Sequence, residues 1–195
     1  LLSTYVRELS REHPPKPVPQ TEDVGEIRRW ARSLRPARSD MENAAQVLGR
    51  LAQVNDSEAV RRAIDLRGAN LQGFDLQGAL LNNARLDEAE LQGARLEEAR
   101  LQVTNLDGAQ LQGAHLGWAQ LQRAYLIGAQ LQGASLILAQ LQGADLEAAN
   151  LQGCILFEAN LFKANLTAVQ FHGAILVRTQ LRGALLDSAV MDDET

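Results

Sequence analysis

A period of five residues runs through about two-thirds of this 195-residue chain. Steps of five from Leu66 meet an apolar residue at all twenty-six positions, of which Met191 is the last. The residue two places before each of these central positions is small or apolar, and it is usually alanine. No insertion breaks this register between Ile64 and Asp193. Any fold of this segment must therefore bring the same two positions of every five into its core.

Neither regular secondary structure accommodates this period. An α-helix has 3.6 residues per turn and would spread the leucines around its axis. A β-strand has a period of two and would turn successive leucines to opposite faces. The period instead predicts a chain that turns a corner every five residues, so that four sides make a coil of twenty. With coils stacked about 4.8 Å apart, twenty-six sides predict about six and a half coils and a rod of roughly 31 Å.

The repeat resembles a known family. The run "GANLQGFDLQGALLNNARLDEAELQGARL" at residues 68–96 follows the consensus A(D/N)LXX of the bacterial pentapeptide-repeat proteins. The resemblance implies an all-β solenoid, specifically a right-handed quadrilateral β-helix. This chain often has glutamine before the central residue, as at Gln110 and Gln130, where the family has Asp or Asn. Because that position faces outward, we expect the fold to be unchanged.

Residues 1–63 lack the repeat and predict a helical N-terminal segment. Apolar residues in "LLSTYVRELSRE" (1–12) have helical spacing, and a second helix is predicted at 22–34. Between them, "HPPKPVPQ" (13–20) predicts an extended linker because proline interrupts helices. We therefore divide the chain into this segment and a β-helix at 64–193.

The end of the N-terminal segment predicts a cap for the rod. Ser39 and Glu42 form a capping-box pattern, and a short helix is predicted at 57–63. Between these two features, one helical face carries Val47, Leu48, Leu51 and Val54. Since the open end of a solenoid must be covered, residues 40–63 are the predicted N-terminal cap.

The sequence offers no constellation of an acid, a base and a nucleophile, so we expect no enzyme activity. His13, His115 and His172 lie far apart and lack partners with metal-ligand spacing. Cys154 occupies an inward alanine position and predicts an inert core thiol. We accordingly expect no catalytic residue, no cofactor and no metal.

Residues twenty apart should lie above one another on one side of the rod. On two opposite sides this places glutamines in columns, with Gln72, Gln92, Gln112, Gln132 and Gln152 forming one of them. Amides stacked at strand spacing predict hydrogen-bonded ladders along the columns, which would stiffen the rod. A third side carries a partly acidic column that contains Asp87, Asp107, Glu147 and Asp187.

The fourth side changes from polar to apolar towards the C-terminus. Seven residues, which we name the apolar strip, project from it: Trp118, Ile137, Leu138, Ile155, Phe157, Ile175 and Val177. A patch of several hundred Å² is large enough to be functional, so the strip predicts binding of a protein partner or of a second copy. Two alternatives stay open: residues 1–34 cover the strip, or it is a patch without function.

Two classes of function remain. The first is a structural or interaction module that presents a rigid rod to a protein partner or to a second copy. The second follows from the resemblance, because family members that confer quinolone resistance are acidic dimers that mimic DNA and bind gyrase. Residues 64–195 carry fifteen acidic and eight basic side chains, a net charge of −7. The sign disfavours direct nucleic-acid binding, and the interspersed arginines weaken the case for a DNA mimic.

The sequence contains no run of eighteen apolar residues, so no membrane span is predicted. The segments "AAQVLGRL" and "IDLRGANL" nevertheless resemble the entry to the repeats in some membrane-associated bacterial family members, whose membrane helices lie upstream. We expect a cytoplasmic location, or tethering on the cytoplasmic side through upstream sequence.

Overall fold

The structure is a computed structural model that describes residues 2–36, Ala45 and residues 64–192. Two helices precede the repeats, α1 (Leu2–Glu12) and α2 (Val24–Ser33). Both lie where the spacing of apolar residues predicts them. The predicted capping box, the helical face between Val47 and Val54, and the short helix that follows it lie outside the described residues.

Helix α2 has a defined start and end. Asp23 is its N-cap, and the Oδ1 atom of Asp23 accepts the backbone N–H of Gly25 at 2.7 Å. At the other end, the N–H of Leu34 donates to the carbonyl oxygen of Ala31. Its buried residues are Ile27 and Ala31, so the helix packs against the rest of the chain through one face.

Residues 64–192 form stacked four-sided coils. The residue before each central position makes a parallel bridge with the residue twenty further on, as Asp65 does with Arg85. The N–H of Leu66 donates to the Arg85 carbonyl at 2.8 Å, and this pattern repeats along each side. Each side contributes a single bridged residue, and no longer strand occurs among the described residues. The predicted all-β solenoid therefore has parallel pairing without extended strands, because each side is interrupted by a corner.

The corners explain the five-residue period. The residue two places after each central position has φ between 55° and 73°, whether it is glycine or not. The N–H of the next residue bonds the central carbonyl, as Ala69 does to Leu66 at 3.1 Å. This is the positive φ that a type II turn requires at its third residue. Asn83 and Trp118 adopt the same conformation, so the corner itself does not require glycine.

The interior is one continuous apolar cluster. Central leucines and the alanines two places before them are 0–2% exposed in the inner coils, as Leu131 and Ala129 illustrate. Polar side chains at alanine positions donate hydrogen bonds to backbone carbonyls of the preceding coil. Thr104 Oγ1 donates to the Leu81 carbonyl, and Cys154 Sγ donates to that of Leu131 at 2.9 Å. Burial raises the pKa of the Cys154 thiol to about 12, in agreement with a core role.

Helix α1 packs on the open end of the first coil. The Oγ atom of Ser10 accepts the backbone N–H of Asn70 at 2.9 Å, and Val6 is fully buried in the coil core. Arg7 pairs with Asp65 at 2.6 Å. The cap therefore includes α1, to which the sequence assigned no such role. Within the predicted cap at 40–63, only Ala45 is described, and it is fully buried in the same cluster.

The described coils end with an exposed turn. Leu186 and Met191 occupy predicted inward positions but are 38% and 43% exposed, because no described coil packs above them. At the same end, the side chain of Asp192 accepts the Gly173 N–H at 3.0 Å. Among the described residues, no helix is both long enough and apolar enough to cross a membrane.

Candidate protein-interaction surface

The apolar strip consists of short columns on one side of the rod. Ile155 and Ile175 are bridged neighbours in adjacent coils. Ile137, Phe157 and Val177 follow one another at intervals of twenty in the position after the central leucine. The remaining two members, Trp118 and Leu138, stand on the adjoining corner at φ of 56° and 59°. The coil geometry thus places all seven predicted residues on outward positions of one side.

The members of the strip differ in exposure. Trp118 and Val177 are each 55% exposed, and Ile175 is 44% exposed. The other members, Ile137, Leu138, Ile155 and Phe157, are half-buried. The strip is therefore a partly buried apolar surface, and its most exposed side chains lie at its two ends.

Helix α2 runs beside the strip. Ile155 lines a small cavity of about 70 Å³ with Arg28 and Arg32 of α2. Ile175 lines a larger recess of about 320 Å³ with Val24. These contacts border one edge of the strip and leave Trp118 and Val177 exposed.

A recess of about 530 Å³ lies next to Trp118. Glycine at position 78 leaves room two coils below the indole, and Glu98 and Arg100 line the recess with Gln120. A tryptophan with positive φ is uncommon, because the bulky side chain strains that conformation. This corner therefore offers an exposed aromatic ring beside charged and amide groups.

Ion pairs lie on the strip side and on the acidic side, which is opposite to it. Arg95 pairs with Asp75 at 3.0 Å, and Arg178 pairs with Glu158 at 2.8 Å at the far end of the strip side. On the acidic side, Asp65 lies 2.8 Å from Arg67. Hydrogen bonds from Arg67, assisted by Arg7, hold the Asp65 pKa well below its usual range. The negative charges of Asp65, Asp75 and Glu158 are thus neutralised locally.

The amide ladders predicted along the glutamine column (Gln72, Gln92, Gln112, Gln132 and Gln152) are not what the structure shows. Gln112 Nε2 donates to Gln110 Oε1 at 2.9 Å, and Gln132 donates to Gln130 in the same way. These pairs join two residues of one coil side. On the opposite side Gln102 Nε2 donates to Gln120 Oε1 in the next coil at 2.6 Å. The prediction was wrong for the glutamine column because a flexible amide reaches its neighbour within the coil.

One corner escaped the sequence interpretation. The corner after the glutamine column carries glycine in six successive coils: Gly73, Gly93, Gly113, Gly133, Gly153 and Gly173. We name it the glycine column. Helix α2 lies against it, with Ala31 near Gly113. A glycine at every twentieth residue was the available signal, and the corner geometry alone does not explain it.

The expected absence of a catalytic residue, a cofactor and a metal stays a prediction. Among the described residues, no group of three His, Cys, Asp or Glu side chains is placed to hold a metal ion. His115 lies 3.9 Å from Glu97 on the strip side, and His172 lines the recess beside Ile175.

Comparisons with known proteins agree with the coil geometry. The family of pentapeptide repeats matches in eight copies, over residues 64–102, 104–139, 139–176 and 164–193. Among curated proteins, none matches the chain significantly.

Several solved structures are similar. HetL, a pentapeptide repeat protein involved in heterocyst differentiation regulation in the cyanobacterium Nostoc sp. strain PCC 7120, is 34% identical, with 67% of this chain and 73% of HetL covered and a TM-score of 0.39. A pentapeptide repeat protein of the Arabidopsis thaliana thylakoid lumen is 34% identical, with 49% and 66% covered and a TM-score of 0.46. QnrB1, a plasmid-mediated fluoroquinolone resistance protein, is 19% identical, with 61% and 77% covered and a TM-score of 0.31.

The family match covers well over half of the chain and coincides with the stacked coils. Together with the turn at every fifth residue, it implies a right-handed β-helix. The chain belongs to the pentapeptide-repeat family.

Proposed function

We propose that this chain is a non-enzymatic interaction module that binds a protein partner, or a second copy of itself, through the apolar strip. The observation that carries the proposal is Trp118, an aromatic side chain that is 55% exposed on a corner of the strip side. Exposed aromatic residues supply most of the energy in many protein interfaces.

The rest of the strip supports the same function. Val177 and Ile175 add apolar surface at the opposite end, and half-buried Phe157 lies between. Because the side chains stand on a rigid coil, little conformational entropy is lost when a partner docks. The ion pairs at Asp75 and Glu158 give the strip a polar border, as the rim of an interface has.

The DNA-mimic alternative receives less support. A copy of the phosphate backbone needs unpaired negative charges at regular intervals. Here Arg67 and Arg85 lie beside Asp65 and Asp87 on the acidic side, so the negative charge is interrupted. We therefore place partner recognition on the strip rather than on the acidic side. A cytoplasmic location, with tethering through upstream sequence as the alternative, completes the proposal.

The test is the double substitution Ile137→Gln with Phe157→Gln. Neither side chain points into the coil core, so thermal unfolding should change little. Self-association measured by analytical ultracentrifugation, or capture of a partner identified by cross-linking, should be lost. Ile127→Gln is the matched control, since Ile127 is 41% exposed at the same repeat position on the acidic side. Association of the double variant at the parent level would reject the strip as the interface.

A further inference from the structure

The glycine column forms a groove along the rod. The other three corners carry residues other than glycine at several positions, although their backbone has the same positive φ. On the corner nearest the strip these residues are Glu98, Trp118, Leu138, Glu158 and Arg178. Since Asn83 also adopts this φ without difficulty, the conformation does not explain an unbroken run of glycine. The run leaves a trough without side chains between two sides of the rod.

Helix α2 fills this trough so closely that side chains are excluded. A Cβ atom added at Gly113 would lie 2.5 Å from the Cβ of Ala31, and one at Gly153 would lie 2.5 Å from Cγ1 of Val24. Real Cβ atoms do not approach other atoms so closely. By contrast, a Cβ at Gly128, on another corner, would meet nothing within 4 Å. The glycine column is therefore matched to the helix that lies in it.

The match has a geometric basis. An α-helix rises 5.4 Å per turn, and the coils of the rod are stacked about 4.8 Å apart. A helix that lies along the rod therefore presents about one residue per turn to each successive glycine. Val24 lies at Gly153, and Ala31 lies two coils further down at Gly113. Any helix with a small or short apolar residue at each turn would meet the same spacing.

Arg28, in the middle of α2, hydrogen-bonds the helix to the glycine column. Arg28 Nε donates to the Gly133 carbonyl at 3.0 Å, and its Nη2 donates to the Gly153 carbonyl. Neither carbonyl accepts a backbone hydrogen bond from the described residues. Because α2 shields this corner from water, the guanidinium satisfies two acceptors that would otherwise be buried without donors.

The glutamine column beside the groove is only partly satisfied. Gln72 pairs through both amide atoms with the backbone of Lys16, at 2.8 and 2.9 Å. One and two coils further on, Gln92 and Gln112 are 1% and 4% exposed. Their Oε1 atoms find no donor within the described part of the chain. Buried acceptors without donors destabilise the present arrangement of this side.

We propose that the glycine column forms a binding surface for an α-helix, which α2 occupies within the chain and which a partner's helix takes by displacing α2. The helix recognised has a small or short apolar residue at each turn towards the groove and an arginine for the glycine carbonyls. This surface borders the apolar strip at Ile155 and Ile175, which line cavities with residues of α2. Its binding of a helix does not depend on the proposed function of the strip.

Helix α2 is short enough for a partner helix to displace it. Helix α2 has ten residues, and helices of this length are marginal in water unless they are docked. Its fully buried side chains are few, namely Ile27, Ala31 and the adjoining Leu34. A longer partner helix with the same pattern could also reach Gly173, where a Cβ would meet nothing within 4 Å.

The test uses a fluorescent synthetic peptide of residues 13–36 as the helix probe. In the full chain, Ala31→Glu places a charge against Gly113 and should release α2. We expect this variant to bind the peptide at least tenfold more tightly than the parent chain does, as measured by fluorescence anisotropy. Arg28→Met provides a second way to release α2 if Ala31→Glu disturbs folding, as judged by far-ultraviolet circular dichroism.

Matched glycine variants identify the site. Adding Gly113→Asn to the released chain should abolish peptide binding, whereas adding Gly128→Asn should leave it unchanged. Both glycines have φ near 65°, and asparagine occupies this conformation at position 83. Failure of both released chains to bind the peptide, equal binding by the parent chain, or retained binding after Gly113→Asn would each overturn the proposal. None of these substitutions replaces a residue of the strip, and the strip is tested separately by Ile137→Gln with Phe157→Gln in the parent chain, where α2 stays docked.

Discussion

The Oγ atom of Ser10 accepts the backbone N–H of Asn70 at 2.9 Å, in the place that a carbonyl oxygen takes in the later coils. In the next coil, the N–H of Glu90 donates at 2.9 Å to the carbonyl of Ala69. The first described coil has no earlier coil to supply that acceptor, so α1 supplies a hydroxyl. Ser10 in turn donates to the Val6 carbonyl at 2.7 Å, which fixes the position of the hydroxyl.

Substitution of Ser10 by alanine should therefore weaken the capped end. It leaves the buried Asn70 N–H without an acceptor, and we expect a loss of about 1–3 kcal/mol in the free energy of unfolding. Urea unfolding followed by circular dichroism measures the change. Ser33→Ala is the control, since Ser33 lies exposed at the end of α2 and bonds only the Trp30 carbonyl. Equal effects of the two substitutions would contradict the assigned capping role.

The Asp65 carboxylate makes this end sensitive to acid. Hydrogen bonds from Arg67 and Arg7 lower its pKa, so its contribution is fully present above the usual value of about 3.9 and is lost as the pH falls below it. Asp65→Asn should cost up to about 1 kcal/mol at pH 7 and progressively less below pH 4. Urea unfolding of the parent and the variant at pH 7 and pH 3 checks this. Asp187→Asn on the same side should change little at either pH.

The sequence predicted the coil better than it predicted what packs on it. The five-residue period assigns Leu131 and Ala129 to the core and Trp118 to the surface, because a fixed register decides which side chains face inward. All three predictions are confirmed by their exposure. Local spacing also predicts α2, since its buried residues Ile27 and Ala31 are four apart.

The surface on which α2 packs could not be predicted from local spacing. An amphipathic helix shows which face it buries but does not show against what. The glycines at positions 113 and 133 identify a groove only when residues twenty apart are compared corner by corner. The amide pairs escaped prediction for another reason. Gln112 reaches Gln110 within its own coil as readily as a glutamine in the next coil, and side-chain rotamers decide between the two.

The thiol of Cys154 should be inert in the folded protein. Burial raises its pKa to about 12, so the reactive thiolate is a very small fraction at pH 8. We expect no modification by a thiol reagent such as dithionitrobenzoate in native buffer and complete modification in denaturing urea. Val103→Cys, at a 39% exposed corner, supplies a reactive reference thiol in the folded rod. Rapid modification of Cys154 without denaturant would show that the core opens locally.

Two leucines at the same repeat position should differ strongly in their contribution to stability. Leu131 is 1% exposed between packed coils, and Leu186 is 38% exposed in the last described coil. Leu131→Ala leaves a cavity that the neighbouring coils cannot close, so we expect a loss of about 2–5 kcal/mol. Leu186→Ala removes a side chain that already meets water, and its loss should stay below about 1.5 kcal/mol. Urea unfolding of both variants decides the matter. If Leu186→Ala costs as much stability as Leu131→Ala, then another surface covers the last described coil in solution.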